Sequence, residues 1–262
     1  MSQSVNSPMQ TLLAIMAQLR DSEKGCEWDK AQSFDSIKYY TLEETYEVLD
    51  AIEQKDFSAL KNELGDLLFQ IVFYSQLAKE QQLFSFDDVC QSVNHKLISR
   101  HPHVFAHQQY DKCHWESIKQ QERDAREQFS VLDDIPVTQP ALMRAEKIQK
   151  RCAAVGFDWD DVSAVFDKVY EEIDEVKAEL VASEKNQHKI AEEVGDLLFA
   201  VVNLARHLGV KSELALKSAN NKFERRFKAV ERHFQLNQKS LQTSSLDEME
   251  SVWQQVKLNE LN

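Results

Sequence analysis

The sequence predicts an all-α protein built as two tandem, repeated helical-bundle domains, and three observations carry that expectation. Only 5 glycines and 4 prolines occur in 262 residues, against usual shares of about 7% and 5%, which leaves little material for tight hairpins or Gly-rich phosphate loops. Apolar residues recur at helical spacing, as in Leu12, Ile15, Met16 and Leu19, then Leu60, Leu64, Leu67, Leu68 and Ile71. The third observation is an internal repeat. LEETYEVLDAI and ELGDLLFQIVF in the first half return as YEEIDEVKAEL and EVGDLLFAVVN in the second.

Taken in order, the apolar run from Leu12 to Ala17 predicts a helix near residues 8–20. No basic residue precedes it and no small-residue cleavage pattern follows, so it does not read as a signal peptide. Helices near 36–54 and 57–80 carry the first copy of the acidic repeat, and helices near 86–99 and 114–128 complete the first half. The stretch FSVLDDIPVTQP, residues 129–140, holds two prolines and interrupts the helical pattern. The expected division is therefore a first domain at 1–130, a linker at 131–140 and a second domain at 141–262. The second half predicts helices near 139–153, 163–183, 187–208, 211–236 and 246–259.

The apolar stretches after Asp66 and Asp196 fall short of the roughly 20 residues that span a bilayer. Cys26, Cys90, Cys113 and Cys152 show no CxxC spacing and match no positions between the halves, as expected of reduced thiols. A cytoplasmic protein without membrane contact is expected. The formal charge of −13 argues against a nucleic-acid duplex as partner. An anionic small substrate stays compatible with that charge if a metal and a local cluster of Lys and Arg offset the repulsion.

Each half carries an EExxE and an ExxD pair: Glu43, Glu44 and Glu47 with Glu63 and Asp66, then Glu171, Glu172 and Glu175 with Glu193 and Asp196. Residues three or four apart share a helical face, so Glu172 and Glu175 project together, as do Glu193 and Asp196. Two antiparallel helices then offer four carboxylates to one point, a donor set that suits Mg²⁺ when phosphate completes its shell. Single acidic pairs are usually solvated surface. Here Asp66 leads into LLFQIVF, a segment apolar nearly all round, where carboxylates need partners, and the same acids recur in the other half.

The repeat continues beyond the acids. KLISRH at Lys96 pairs with KFERRF at Lys222, and WESIK at Trp115 with WQQVK at Trp253. Lys222 and Arg226 lie four apart on one face and can hold phosphate oxygens, while Trp253 offers a flat surface for a nucleobase. Trp28 and Trp159, each next to an Asp, either rim the site or anchor the preceding turn. His101, His103, His107, Cys113 and His114 fit no standard zinc spacing and read as a structural loop.

With GCEWDKAQ at Gly25, TLEETYEVLDAI at Thr41, ELGDLLFQ at Glu63, HPHVF at His101, LDDIP at Leu132, KIQKRCA at Lys147 and GFDW at Gly156, the chain resembles the two-domain MazG-type nucleoside triphosphate pyrophosphohydrolases of the all-α NTP pyrophosphohydrolase superfamily. The resemblance implies Mg²⁺-dependent hydrolysis of ATP and other NTPs or dNTPs to the monophosphate and pyrophosphate, and a homodimer. It implies metal ligands and catalytic residues at Glu172, Glu175, Glu193 and Asp196, with Glu44, Glu47, Glu63 and Asp66 as their first-half counterparts. Substrate contacts are implied at Lys168, Lys189, Glu192, Lys222, Arg226 and Trp253.

The halves differ where the implied substrate contacts lie: Tyr40, Ala59 and Asn62 stand at the positions of Lys168, Lys189 and Glu192. Losing two phosphate-facing cations removes interactions of about 1.5–3 kcal/mol each. The C-terminal half is therefore expected to do most of the catalysis. No Ser or Cys beside a His recurs as a nucleophile, so a metal-activated water is expected. A di-iron bundle would need ExxH, which none of the 8 histidines provides. A helical adaptor with acidic patches is the non-enzymatic alternative, and it predicts no Mg²⁺-dependent turnover.

Overall fold

The structure is a computed structural model that describes residues 7–106, 130–181 and 186–260. The expected helix at 114–128, with Trp115, lies outside them. The described residues form helices and loops with no strand, in two compact units, Met1–Lys119 and Gln120–Asn262.

The first unit opens with α1 (Pro8–Leu19), started by a capping box between Ser7 and Gln10 with Pro8 in the first turn. A short α2 (Glu27–Ala31), which the periodicity does not predict, leads into α3 (Phe34–Gln54). This third helix starts two residues earlier than expected because Ser33 and Ser36 form its cap. The turn into α4 (Phe57–Glu80) takes two residues. Lys55 adopts a left-handed φ of 57°, its amide and that of Asp56 return to the Ile52 and Ala51 carbonyls, and the Asp56 carboxylate accepts from the Ser58 and Ala59 amides.

Such a tight connection makes α3 and α4 antiparallel neighbours, and α1 lies along α4. Met16, Ile37, Val72, Phe73 and Leu77 form the buried core between them. Arg20 closes one end: it binds Glu80 at 2.6 Å, donates to the Asp29 and Gln32 carbonyls, and sits 5.4 Å from the Phe73 ring centre. The unit continues through α5 (Phe86–Arg100) and α6 (Pro102–Phe105).

The second unit holds α7 (Ala141–Ala153), α8 (Val162–Val181), α9 (Gln187–His207), α10 (Ser212–Leu236), a 3-10 turn at Leu241–Thr243 and α11 (Leu246–Asn259). The α8–α9 pair repeats the α3–α4 pair. It is crossed by α7, whose buried Gln149 donates to the Phe199 carbonyl at 2.8 Å. Helices α10 and α11 pack through Val230, Phe234 and Val252.

The repeated pairs also share an uncovered apolar stripe. Val194, Leu198 and Val201 on α9, and the matching Leu64 and Ile71 on α4, are exposed, as are Phe166 and Tyr170 on α8. No helix among the described residues is long and apolar enough to cross a membrane.

Candidate active site

The acidic repeat ends up on facing helices. Glu172 and Glu175 project from α8 and Glu193 from α9, and one oxygen from each lies within 4.8 Å of the others. Glu172 is buried, at 4% exposure, and its Oε2 has no hydrogen-bond partner. Lys168, one turn earlier, donates to Glu172 Oε1 at 2.6 Å and to Glu171 Oε1 at 2.9 Å. The adjacent Glu171 is exposed, whereas Glu172 faces the interior. Asp196 is exposed and is not one of the three carboxylates that meet.

Electrostatics follow from the crowding. Loss of hydration, then the neighbouring charges of Glu172 and Glu193, hold the Glu175 carboxyl above its ordinary value, with Lys168 opposing. The Lys168 ammonium is pushed up by its bonds to Glu172 and then Glu171. One lysine does not neutralise three carboxylates, and a buried Glu172 oxygen without a donor is an unmet demand for positive charge. A hard divalent cation fits that demand, since every donor in the group is a carboxylate oxygen.

The first half rebuilds the same arrangement from α3 and α4. Glu44, Glu47 and Glu63 meet within 4.8 Å. Loss of hydration, then the Glu47 and Asp66 charges, raises Glu44, and loss of hydration with Glu47 and Asp66 raises Glu63. The lysine is missing. Tyr40 occupies its place and packs into the core, edge-on to Trp28 at 6.0 Å and beside Tyr39 at 6.2 Å. Trp28 therefore touches the helix that carries Glu44.

The remaining expected contacts form other groups. Lys189 and Glu192 are exposed in the first turns of α9, and Glu192 lies 3.3 Å from His188. Trp253 on α11 sits 5.0 Å from Phe223, which stacks on Phe227 at 6.0 Å with planes 7° apart. Lys222 is exposed beside this aromatic group, and Arg226 Nε is held by Glu260 at 2.7 Å. Among the described residues no hydrogen bond, ion pair or ring contact links this second group to the carboxylates.

Periodicity missed Phe223, Phe227 and Glu260. The i,i+4 spacing of the two phenylalanines next to Lys222 is the signal that marks the first two. Trp159 follows Asp158, whose carboxylate takes the Trp159 amide at 3.0 Å and also binds Arg206 and His207. That clamp ties the GFDW turn to the end of α9. His101 spends one ring nitrogen on the Leu97 carbonyl at 2.6 Å, while His107, Cys113 and His114 lie outside the described residues.

Comparison with known proteins follows the same two segments. The MazG nucleotide pyrophosphohydrolase domain matches residues 32–105 and 161–231. A nucleoside triphosphate pyrophosphohydrolase of Escherichia coli (strain K12) is 57% identical over 256 residues, covering 96% of this chain and 97% of that protein. A nucleoside triphosphate pyrophosphohydrolase/pyrophosphatase MazG of Thermotoga maritima is 41% identical over 247 residues, covering 94% of each chain. A nucleoside triphosphate pyrophosphohydrolase of Mycolicibacterium smegmatis is 37% identical over 150 residues, 55% of this chain and 45% of that protein.

Proposed function

This chain belongs to the MazG nucleotide pyrophosphohydrolase family and is a hydrolase acting on phosphoric anhydrides, and from that premise we propose that it cleaves NTPs and dNTPs to the monophosphate and pyrophosphate with Mg²⁺. The observation that carries the proposal is the convergence of Glu172, Glu175 and Glu193, of which the buried Glu172 has a carboxylate oxygen without a hydrogen-bond partner.

Glu172, Glu175 and Glu193, with Asp196 alongside, would hold Mg²⁺ in the second half, and Glu44, Glu47, Glu63 and Asp66 would hold it in the first. Bound there, the ion would supply positive charge to phosphate oxygens that three carboxylates would otherwise repel. The rest falls to the side chains. Lys168, Lys189, Lys222 and Arg226 bind phosphate oxygens and neutralise charge gathering on the leaving pyrophosphate. Trp253 carries the base on a ring already backed by Phe223 and Phe227. A carboxylate of α8 orients the water whose oxygen bonds to phosphorus as the bridging P–O bond breaks, and takes its proton. Glu192 completes the substrate-binding set at the start of α9.

The same reading makes the second half the main catalytic centre, because Tyr40 and Ala59 provide no cation beside the first acidic group. It also makes the protein a cytoplasmic homodimer. The uncovered stripe of Val194, Leu198 and Val201, together with Phe166 and Tyr170, supports a second copy packing on the α8–α9 pair. Residues 131–140 would form the joint between the domains.

The test is pyrophosphate release from a panel of NTPs and dNTPs, with Mg²⁺ and with a chelator. Release that needs Mg²⁺ supports the reading. Equal release in both conditions, or none with any substrate, contradicts it.

A further inference from the structure

The second group of the C-terminal unit contains an acid that neither the repeat nor the proposed roles use. Glu260 caps the end of α11, reached by two arginines of α10. Its Oε1 accepts from Arg225 Nε at 3.0 Å and Nη2 at 2.9 Å, and its Oε2 accepts from Arg226 Nε at 2.7 Å. The Arg226 and Glu260 side chains are 19% and 27% exposed, so this junction is partly shielded, whereas Arg225 is 66% exposed. The two arginines, in that order, hold the Glu260 carboxyl below its ordinary value, as expected for a carboxylate kept ionised between guanidinium groups.

Arg226 is held through a single nitrogen. Glu260 takes only Nε, and no hydrogen bond among the described residues engages Nη1 or Nη2. A guanidinium fixed through Nε keeps its plane set while two terminal nitrogens stay available, which is the fork that matches two oxygens of one phosphate. Lys222 lies one helical turn before Arg226, and Phe223 supports Trp253.

We propose that Glu260 is a positioning residue for substrate: it grips Arg226 through Nε and presents the two terminal nitrogens to a phosphate group, while Arg225 anchors Glu260 and touches no substrate. This rests on the reading of Arg226 as a substrate contact. Glu260 does not compete with phosphate for Arg226, because the two use different nitrogens.

The experiment is steady-state pyrophosphate release from ATP with Mg²⁺ for wild type, Glu260→Ala, Glu260→Gln, Arg226→Ala and the Arg226→Ala/Glu260→Ala double variant, with thermal midpoints measured for all. Losing one oriented charged contact is expected to raise KM about tenfold in Glu260→Ala with kcat within about twofold. Glu260→Gln, which keeps an acceptor for Nε, should recover part of that loss. In the Arg226→Ala background the Glu260 change should move KM little, since the two act as one unit.

If KM in Glu260→Ala is unchanged or lower while Arg226→Ala raises it, the positioning role is overturned and Arg226 stands. Additive effects overturn it as well, because a general structural defect adds in any background. A wild-type KM in Arg226→Ala removes the underlying reading and this role with it.

Discussion

Lys168 Nζ lies 2.6 Å from Glu172 Oε1, one turn away on α8, whereas Tyr40 stands at the same distance in sequence before Glu44 and turns into the core. The two halves thus share an acidic group and differ in what faces it. In the second half a cation already sits beside the buried carboxylate. In the first the corresponding residue, Tyr40, packs into the core instead.

Lys168→Ala should therefore do more than remove a phosphate contact, since it also leaves Glu172 buried without its ion-pair partner. Pyrophosphate release is expected to fall about tenfold to a hundredfold. Tyr40→Ala should leave release near wild type and instead lower the thermal midpoint, because Tyr40 packs against Trp28 and the α1–α3–α4 core.

Crowded carboxylates give a dependence of stability on pH and on metal. Glu44, Glu63 and Glu175 hold their protons more tightly in the fold than their ordinary value of 4.5. That contribution to stability is complete below the unfolded value and is lost as pH rises through the raised folded values. The metal-free midpoint should decline across that window, and added Mg²⁺ should restore it at neutral pH but not at about pH 4. Calorimetric scans at several pH values, with and without Mg²⁺, check this. Glu175→Gln with Glu193→Gln should reduce the metal effect.

An uncovered helix stripe should behave as an interface. Leu198→Glu places a charge between Val194 and Val201, both exposed in the single chain. It should shift the protein from dimer to monomer by sedimentation and lower activity in parallel, since a buried unpaired charge costs several kcal/mol. A wild-type dimer carrying Leu198→Glu would place the interface elsewhere.

Much of this architecture was legible because local signals agreed. The helix expected at 57–80 is Phe57–Glu80, where Asp56 supplies a cap and the apolar period runs unbroken. The five-residue α2 was not, since it is too short to show a period. The meeting of Glu172, Glu175 and Glu193 was readable from spacing and repetition. That Asp196 is exposed was not, because spacing gives a shared face and leaves the direction of that face to packing. Contacts between distant residues left no trace in periodicity: Asp158 with Arg206 and His207, Arg20 with Glu80, and Glu260 with Arg226 are set by tertiary approach.

The most direct measurement is Mg²⁺-dependent pyrophosphate release in Glu193→Ala beside Glu63→Ala, the matching carboxylates of the two halves. Glu193→Ala should lose nearly all release while Glu63→Ala keeps most of it. Strong loss in Glu63→Ala with Glu193→Ala still active would place the hydrolytic centre in the first half and contradict the assignment made here.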